Sequence, residues 1–167
     1  MNASTLKNAP AATALTVADP AHIDLLEAMT ARFHQGEGVQ LPAAHRKSAL
    51  ANLLASPGQG CILLVEHCAT SQVCGYAILA YGFSLEFGGR DAFLDEFYID
   101  EQFRGRGIGK AALEAICQWA REAGLAAVHL EVEKANTSAK ALYANLGFED
   151  REHYHLMSLR IAVPKDR

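Results

Sequence analysis

Residues 93–116, FLDEFYIDEQFRGRGIGKAALEAI, constrain the fold more than any other part of the chain. A strand-like run with aromatic and β-branched residues ends in acids, crosses a glycine-rich basic loop and continues into a helical pattern. Gly105, Gly107 and Gly109 alternate through the loop. Charge is segregated around it: residues 84–101 carry six acids (Glu86, Asp91, Asp95, Glu96, Asp100, Glu101) against one base, Arg90. Residues 102–110 carry three bases, Arg104, Arg106 and Lys110, and no acid. Glycines let the backbone turn and approach a ligand closely, a helix start offers unpaired N–H groups and a positive dipole end, and the bases add charge. The pattern suits an anion site for a pyrophosphate; on the glycine alternation alone, a glycine-rich turn with a solvated basic face is the alternative. It is not a P-loop, because Arg104 and Ala111 stand where that motif needs Gly and Ser or Thr. Nor is it a dinucleotide fingerprint, whose third glycine would fall at Lys110 or Ala112.

The flanking sequence predicts a mixed α/β order. Residues 13–17 read as a strand, Asp19-Pro20 as a helix start with Asp19 as N-cap, and Gly36 and Gly38 as its end. A second helix runs from Pro42 to about Ala55, where Pro57-Gly58 stops it. Strands at 60–67 and 72–82 form a hairpin, and 91–99 is a third strand. A helix spans Gly107–Gly124, with Ile108, Ala112, Ile116 and Trp119 at helical spacing. Residues 126–132 form a strand, and Asn136 caps a last helix to Leu146 with Gly147 beyond it. Phe148 onward returns as strand, and residues 153–163 add another. The expected fold is a mixed, mostly antiparallel central sheet with helices on both faces. One domain is expected over 13–167, preceded by a flexible tail at 1–12.

Composition narrows the function classes. In 167 residues, 50% are apolar and 20% charged, which excludes a disordered chain. The formal charge of -4 argues against a generally basic nucleic-acid binder. No uncharged apolar run reaches ~18 residues, so no membrane-spanning helix is expected. The first residues lack the charged region and apolar stretch of a signal peptide. The cysteines, Cys61, Cys68, Cys74 and Cys117, form no C-x-x-C pair and read as free thiols, which suits the cytoplasm. His153 and His155 would share one face of a strand, but two ligands without a third imply no metal.

Arg104-Gly105-Arg106-Gly107-Ile108-Gly109 matches [QR]-x-x-G-x-[GA], the signature of the GNAT family of N-acetyltransferases, and the chain resembles that family in two further places. FLDEFYID resembles its central strand. KANTSAKALYANLGF, residues 134–148, resembles N-x-x-A-x-x-L-Y-x-x-x-G-F, with Asn136, Ala139, Leu142, Tyr143, Gly147 and Phe148 at every named position. The central strand is most similar to diamine (spermidine/spermine-type) acetyltransferases and small bacterial relatives, with the two acids swapped in type and Glu101 replacing a usual Pro.

The resemblance implies direct transfer of an acetyl group from acetyl-CoA to a primary amine, of small-molecule or polyamine-like type. A protein N-terminus or lysine as acceptor, and an acetyl-CoA-binding sensor without turnover, are the alternatives. It implies acetyl-CoA along Phe97, Tyr98 and Ile99, its amides paired with that backbone. The pyrophosphate would rest on N–H groups from Gly105 through Arg106, Gly107, Ile108 and Gly109 to Lys110, with charge from Arg104 and Arg106 and further contacts at Asn136 and Ala139. Tyr143 is implied as the general acid for the leaving thiolate; read from its helix alone, it is a core tyrosine whose hydroxyl finds a partner. Asp95 is implied as the base, through water. Asp95 and Glu96 occupy successive strand positions, so they are expected on opposite faces, leaving Glu96 to pack or to bind a cationic substrate. A homodimer is a further expectation.

Overall fold

The computed structural model describes residues 12–159 and 161. They divide into two compact units, one running to Glu131 and one beginning at Val132.

The first unit carries the sheet. Strand β1 (Thr13–Val17) leads through a short 3-10 turn into helices α1 (Ile23–Gly36) and α2 (Ala43–Leu54). Asp19 caps the turn, its carboxylate accepting the N–H of Ala21 at 2.8 Å. Strands β2 (Gly60–His67), β3 (Gln72–Ser84) and β4 (Gly89–Ile99) follow, then α3 (Ile108–Glu122) and β5 (Ala127–Leu130). The sheet order is β1-β2-β3-β4-β5. The first four strands are antiparallel neighbours. β5 lies parallel to β4, as a helical crossover such as α3 permits.

Strand alternation divides the apolar residues between the two faces. Ile62 and Leu64 of β2, Tyr76 and Ile78 of β3, and Tyr98 of β4 pack with Leu26 and Met29 of α1 and Leu50 of α2. On the other face Val65, Cys74 and Ile99 pack with Phe103 and with Ile108 and Ala112 of α3. α3 buries Ile108, Ala112, Leu113, Ile116 and Ala120, one helical stripe. Burying each Leu or Ile side chain contributes about 1.5–3 kcal/mol. Helices therefore cover both faces of a mostly antiparallel sheet, as the sequence predicts. Among the described residues no helix is long and apolar enough to cross a membrane.

Two features of β4 position chemistry. Its pairing with β3 slips by one residue: Ile78 opposes Glu96, but Leu79 opposes Leu94, so Asp95 is an extra, bulged residue. A bulge breaks the alternation of side chains along a strand. In addition, β5 pairs with β4 only from Asp91 to Leu94. From Glu96 to Ile99 the strand is laddered to β3, with no ladder to β5 on its other edge.

The second unit contains α4 (Thr137–Asn145). The Asn136 side chain caps it by accepting the N–H of Ala139 at 3.0 Å. Gly147 closes it in the left-handed conformation, φ 93°, and the N–H of Phe148 reaches back to the Tyr143 carbonyl at 3.0 Å. The strands expected from Phe148 and over 153–163 do not form in the described part of that segment; residues 160 and 162–163 lie outside the described residues. A segment can be competent to form a strand, but a strand exists only with a ladder partner. Tyr154, Leu156, Met157, Leu159 and Ile161 are instead exposed. His153 and His155 accordingly share no strand face, and no group of three or more possible metal ligands occurs among the described residues. The four cysteines are free thiols. Residues 1–11 of the expected tail lie outside the described residues.

Candidate active site

The glycine-rich loop makes a cradle with room over it. Gly105 and Gly107 are left-handed, φ 73° and 77°, and a side chain added at either would meet nothing within 4 Å. Gly107 is the N-cap of α3, and no side chain caps that end. The first-turn N–H groups are thus open to a ligand. Ile108 is buried and anchors the helix start. Arg106 and Lys110 are exposed, and Lys110 lies 3.7 Å from Glu114. Arg104 has a different job from simple charge. Its Nε donates to the Ile99 carbonyl at 2.7 Å, which ties the loop to the end of β4. Uncapped N–H groups, left-handed glycines and exposed bases fit a pyrophosphate.

The sequence placed Phe97, Tyr98 and Ile99 beside the same ligand. Tyr98 and Ile99 bury their side chains in opposite cores. Their side chains are thus unavailable to a ligand, and the Ile99 carbonyl already accepts from Arg104.

A second feature is a pocket of about 150 Å³ whose wall includes Thr30, His34, Arg46, Ile78, Asp95 and Glu96. The expectation that Asp95 and Glu96 face opposite sides is therefore wrong. The bulge at Asp95 turns these successive residues toward one pocket. Their surroundings separate them. Glu96 is held at both oxygens: His34 Nε2 lies 2.7 Å from Oε1, and the Tyr76 hydroxyl donates to Oε2 at 2.7 Å. Burial, and then the Glu96 charge, push the Tyr76 phenol far above its ordinary range, so it stays protonated and remains a donor. Asp95 has no such partners. Its carboxyl is pushed up by burial and then by the Glu96 charge, with His34 partly offsetting them.

The raised Asp95 carboxyl has a stability consequence. A native state that protonates more readily than the unfolded chain loses stability as pH rises through the native pKa. Replacing Asp95 by Asn removes that penalty. Asp95 keeps an exposed surface, and solvent screens the penalty, so the Asp95→Asn protein is expected to melt only slightly above wild type at neutral pH, with the gap closing toward about pH 4. Melting curves across that range check it; an unchanged gap would mean that burial does not disfavour the carboxylate.

His34 and Arg46 were not singled out in the sequence. His34 lies eight residues after the buried Leu26 and four after the buried Thr30, a helical-face spacing that could have flagged it. Arg46 packs at 12% side-chain exposure, 3.5 Å from Glu27, and its Nη1 donates to the Leu41 carbonyl at 3.3 Å.

In the second unit, Tyr143 sits half-buried on α4 beside Phe148, their ring centroids 5.7 Å apart. It is not a fully buried core residue. Burial raises its phenol pKa, so the hydroxyl keeps its proton through the neutral range. Ala139 is half-buried and Asn136 exposed.

Comparison with known proteins bears on the family and the fold. The family described as "Acetyltransferase (GNAT) family" matches residues 23–148. An L-methionine sulfoximine/L-methionine sulfone acetyltransferase of Pseudomonas paraeruginosa is 35% identical over 92 residues, 54% of this chain and 52% of that protein. A thialysine N-epsilon-acetyltransferase of Bos taurus is 31% identical over 78 residues, 47% of this chain and 45% of that protein. The chain thus spans about half the length of these curated relatives. An integron cassette protein from a salt-marsh metagenome, of known structure, is 29% identical with a TM-score of 0.75, covering 90% of this chain and 91% of its own. None of these relatives points specifically to the diamine-type subfamily.

Proposed function

Because the chain belongs to the acetyltransferase (GNAT) family, we propose that it moves an acetyl group from acetyl-CoA to a small-molecule primary amine. The observation that carries the reading is the pairing, in one unit, of an open anion cradle at Gly105–Lys110 with a carboxylate-lined pocket at Asp95 and Glu96. Bound acetyl-CoA supplies the activated acyl group as a thioester. Gly105 to Lys110 hold its pyrophosphate through backbone N–H groups, and the uncovered edge of β4 offers further backbone partners.

A primary amine of pKa about 10.4 arrives protonated and must lose a proton before it has a lone pair to attack with. Asp95 is the carboxylate left unengaged, so it attracts the ammonium and takes the proton, directly or through water. Glu96, fixed by Tyr76 and His34, shapes and charges the pocket. Tyr143 supplies the proton that the departing thiolate needs, and its raised pKa ensures that the proton is there. The two curated relatives are named for small amino-acid acceptors. No metal has a part in this scheme.

Thiol release from acetyl-CoA, measured over a panel of small amines and N-terminal and lysine peptides, tests the reading, with calorimetric acetyl-CoA binding alongside. Turnover with small amines is expected. Turnover with peptides alone would move the acceptor to protein, and tight binding without turnover would make the chain a sensor.

A further inference from the structure

The cradle has little of its own to fix it. A side-chain carbon added at Gly105 or Gly107 would meet no atom within 4 Å, so the loop is placed by its two ends. Its exit is the buried Ile108 at the start of α3. Its entry is Asp100, where β4 gives way to a short 3-10 turn, Glu101–Phe103. That end of β4 is laddered to β3 on one edge, whereas β5 pairs with the strand no further than Leu94. Side chains from α1 supply a second hold. Phe33 packs edge-on against the rings of Tyr76 and Tyr98. Arg32, half-exposed, reaches further along the strand. Its Nε donates to the Tyr98 hydroxyl at 3.4 Å, and its Nη2 donates to Asp100 Oδ2 at 3.2 Å.

Asp100 is thereby held at three points. Its N–H donates to the Cys74 carbonyl at 2.8 Å, its carbonyl accepts from the Phe103 N–H at 2.9 Å, and its carboxylate accepts from Arg32. Aspartate is a preferred N-cap, yet this one makes no cap bond to the turn it precedes. Its carboxylate is turned to α1 instead. Tyr98 is gripped from the cradle as well, since the Arg104 guanidinium lies 5.5 Å from its ring centroid. We propose that Arg32 is a positioning residue for acetyl-CoA: by gripping Tyr98 and Asp100 it fixes the end of β4 and so keeps the entry of the cradle in its binding geometry. It touches no reacting atom. Without it the strand end samples other positions, and apparent affinity falls with the fraction of molecules competent to bind. Saturating acetyl-CoA restores the ordered form, so the defect belongs to KM and not to kcat. This inference rests on the transferase reading and adds to its cofactor site a residue of α1, far in sequence from the glycine-rich loop.

Arg32→Gln removes the charge and the forked donor set. Calorimetric titration of acetyl-CoA into the full chain should show binding about 5- to 10-fold weaker, the worth of one exposed ion pair and one hydrogen bond. By thiol release, KM for acetyl-CoA should rise by the same factor, with kcat and KM for the amine unchanged. The melting temperature should stay close to wild type, because a half-exposed pair adds little to stability. Asp100→Asn should weaken acetyl-CoA by less, since the Tyr98 contact remains. Arg32→Gln combined with Asp100→Asn should be no worse than Arg32→Gln alone, because both changes remove one shared contact. Wild-type acetyl-CoA affinity in Arg32→Gln would overturn the inference while leaving the transferase reading intact, and so would losses that simply add in the double variant. A lowered melting temperature with equal rises in both KM values would overturn it too, leaving Arg32 a general packing contact. Failure of the wild type to bind acetyl-CoA would overturn the transferase reading and this inference with it.

Discussion

Replacing Gly107 with glutamate is expected to abolish acetyl-CoA binding in a folded protein. Gly107 holds φ at 77° as the N-cap of α3. Any other L-residue there carries a conformational cost of roughly 1–2 kcal/mol. Space is not the obstacle, since nothing of the protein lies within 4 Å of an added side-chain carbon. The obstacle is the ligand. A carboxylate brought to about 4 Å from a phosphate charge costs about 4 kcal/mol at an effective dielectric near 20, about 10³-fold in affinity. Gly107→Gln carries the same backbone strain and nearly the same shape without the charge. It should weaken binding, and the glutamate variant should fall well below it. Calorimetry on the pair separates the two effects, with thermal melting to confirm folding. Equal, wild-type affinities would move the pyrophosphate away from this loop.

That loop is the part of the molecule most legible from sequence. Alternating glycines, three bases and a helix pattern behind them are local signals, and α3 starts within one residue of the expected position. The hairpin strands, the cap at Asp19 and the Asn136 cap are local in the same way. What stayed hidden depends on pairing between distant residues. The bulge at Asp95 arises from the register of β4 against β3, and no pattern within FLDEFYID marks the extra residue. Simple alternation therefore separated Asp95 from Glu96, whereas the fold brings them to one pocket. His34 and Arg46 read as ordinary helix residues until the sheet is placed beneath α1 and α2. Residues 148–159 show the converse, since they read as strand and the described residues supply no ladder for them.

The second large effect is on rate. Tyr143→Phe keeps the ring and its contact with Phe148 but removes the proton. If the hydroxyl protonates the departing thiolate, kcat should drop about 10²–10⁴-fold, the usual worth of a general acid. Acetyl-CoA affinity should barely change, since the transfer belongs to the transition state and not to ground-state binding. The phenol, raised above its ordinary value of about 10, is a weaker acid than a thiol of about 8.5. It therefore stays loaded until negative charge develops on sulfur. Asp95→Asn should also cost rate, most severely near neutral pH. The loss should shrink as pH rises, because solvent then supplies more neutral amine. Its effect on KM must be read separately, because Asp95 also attracts the cationic acceptor. Wild-type turnover in Tyr143→Phe, with chemistry rate-limiting, would return Tyr143 to a packing role. A wild-type pH profile in Asp95→Asn would pass the base to an ordered water or to Glu96.

The central claim is that this chain couples acetyl-CoA consumption to N-acetylation of a small amine. It is tested most directly by counting both products in one reaction. The full chain is incubated with acetyl-CoA and a mixture of small primary amines, free thiol is titrated, and acetylated amine is quantified by mass spectrometry. Acetyl transfer to an amine predicts one acetylated amine for each thiol released. Thiol release without acetylated amine, or acetyl-CoA bound and left intact, would contradict it.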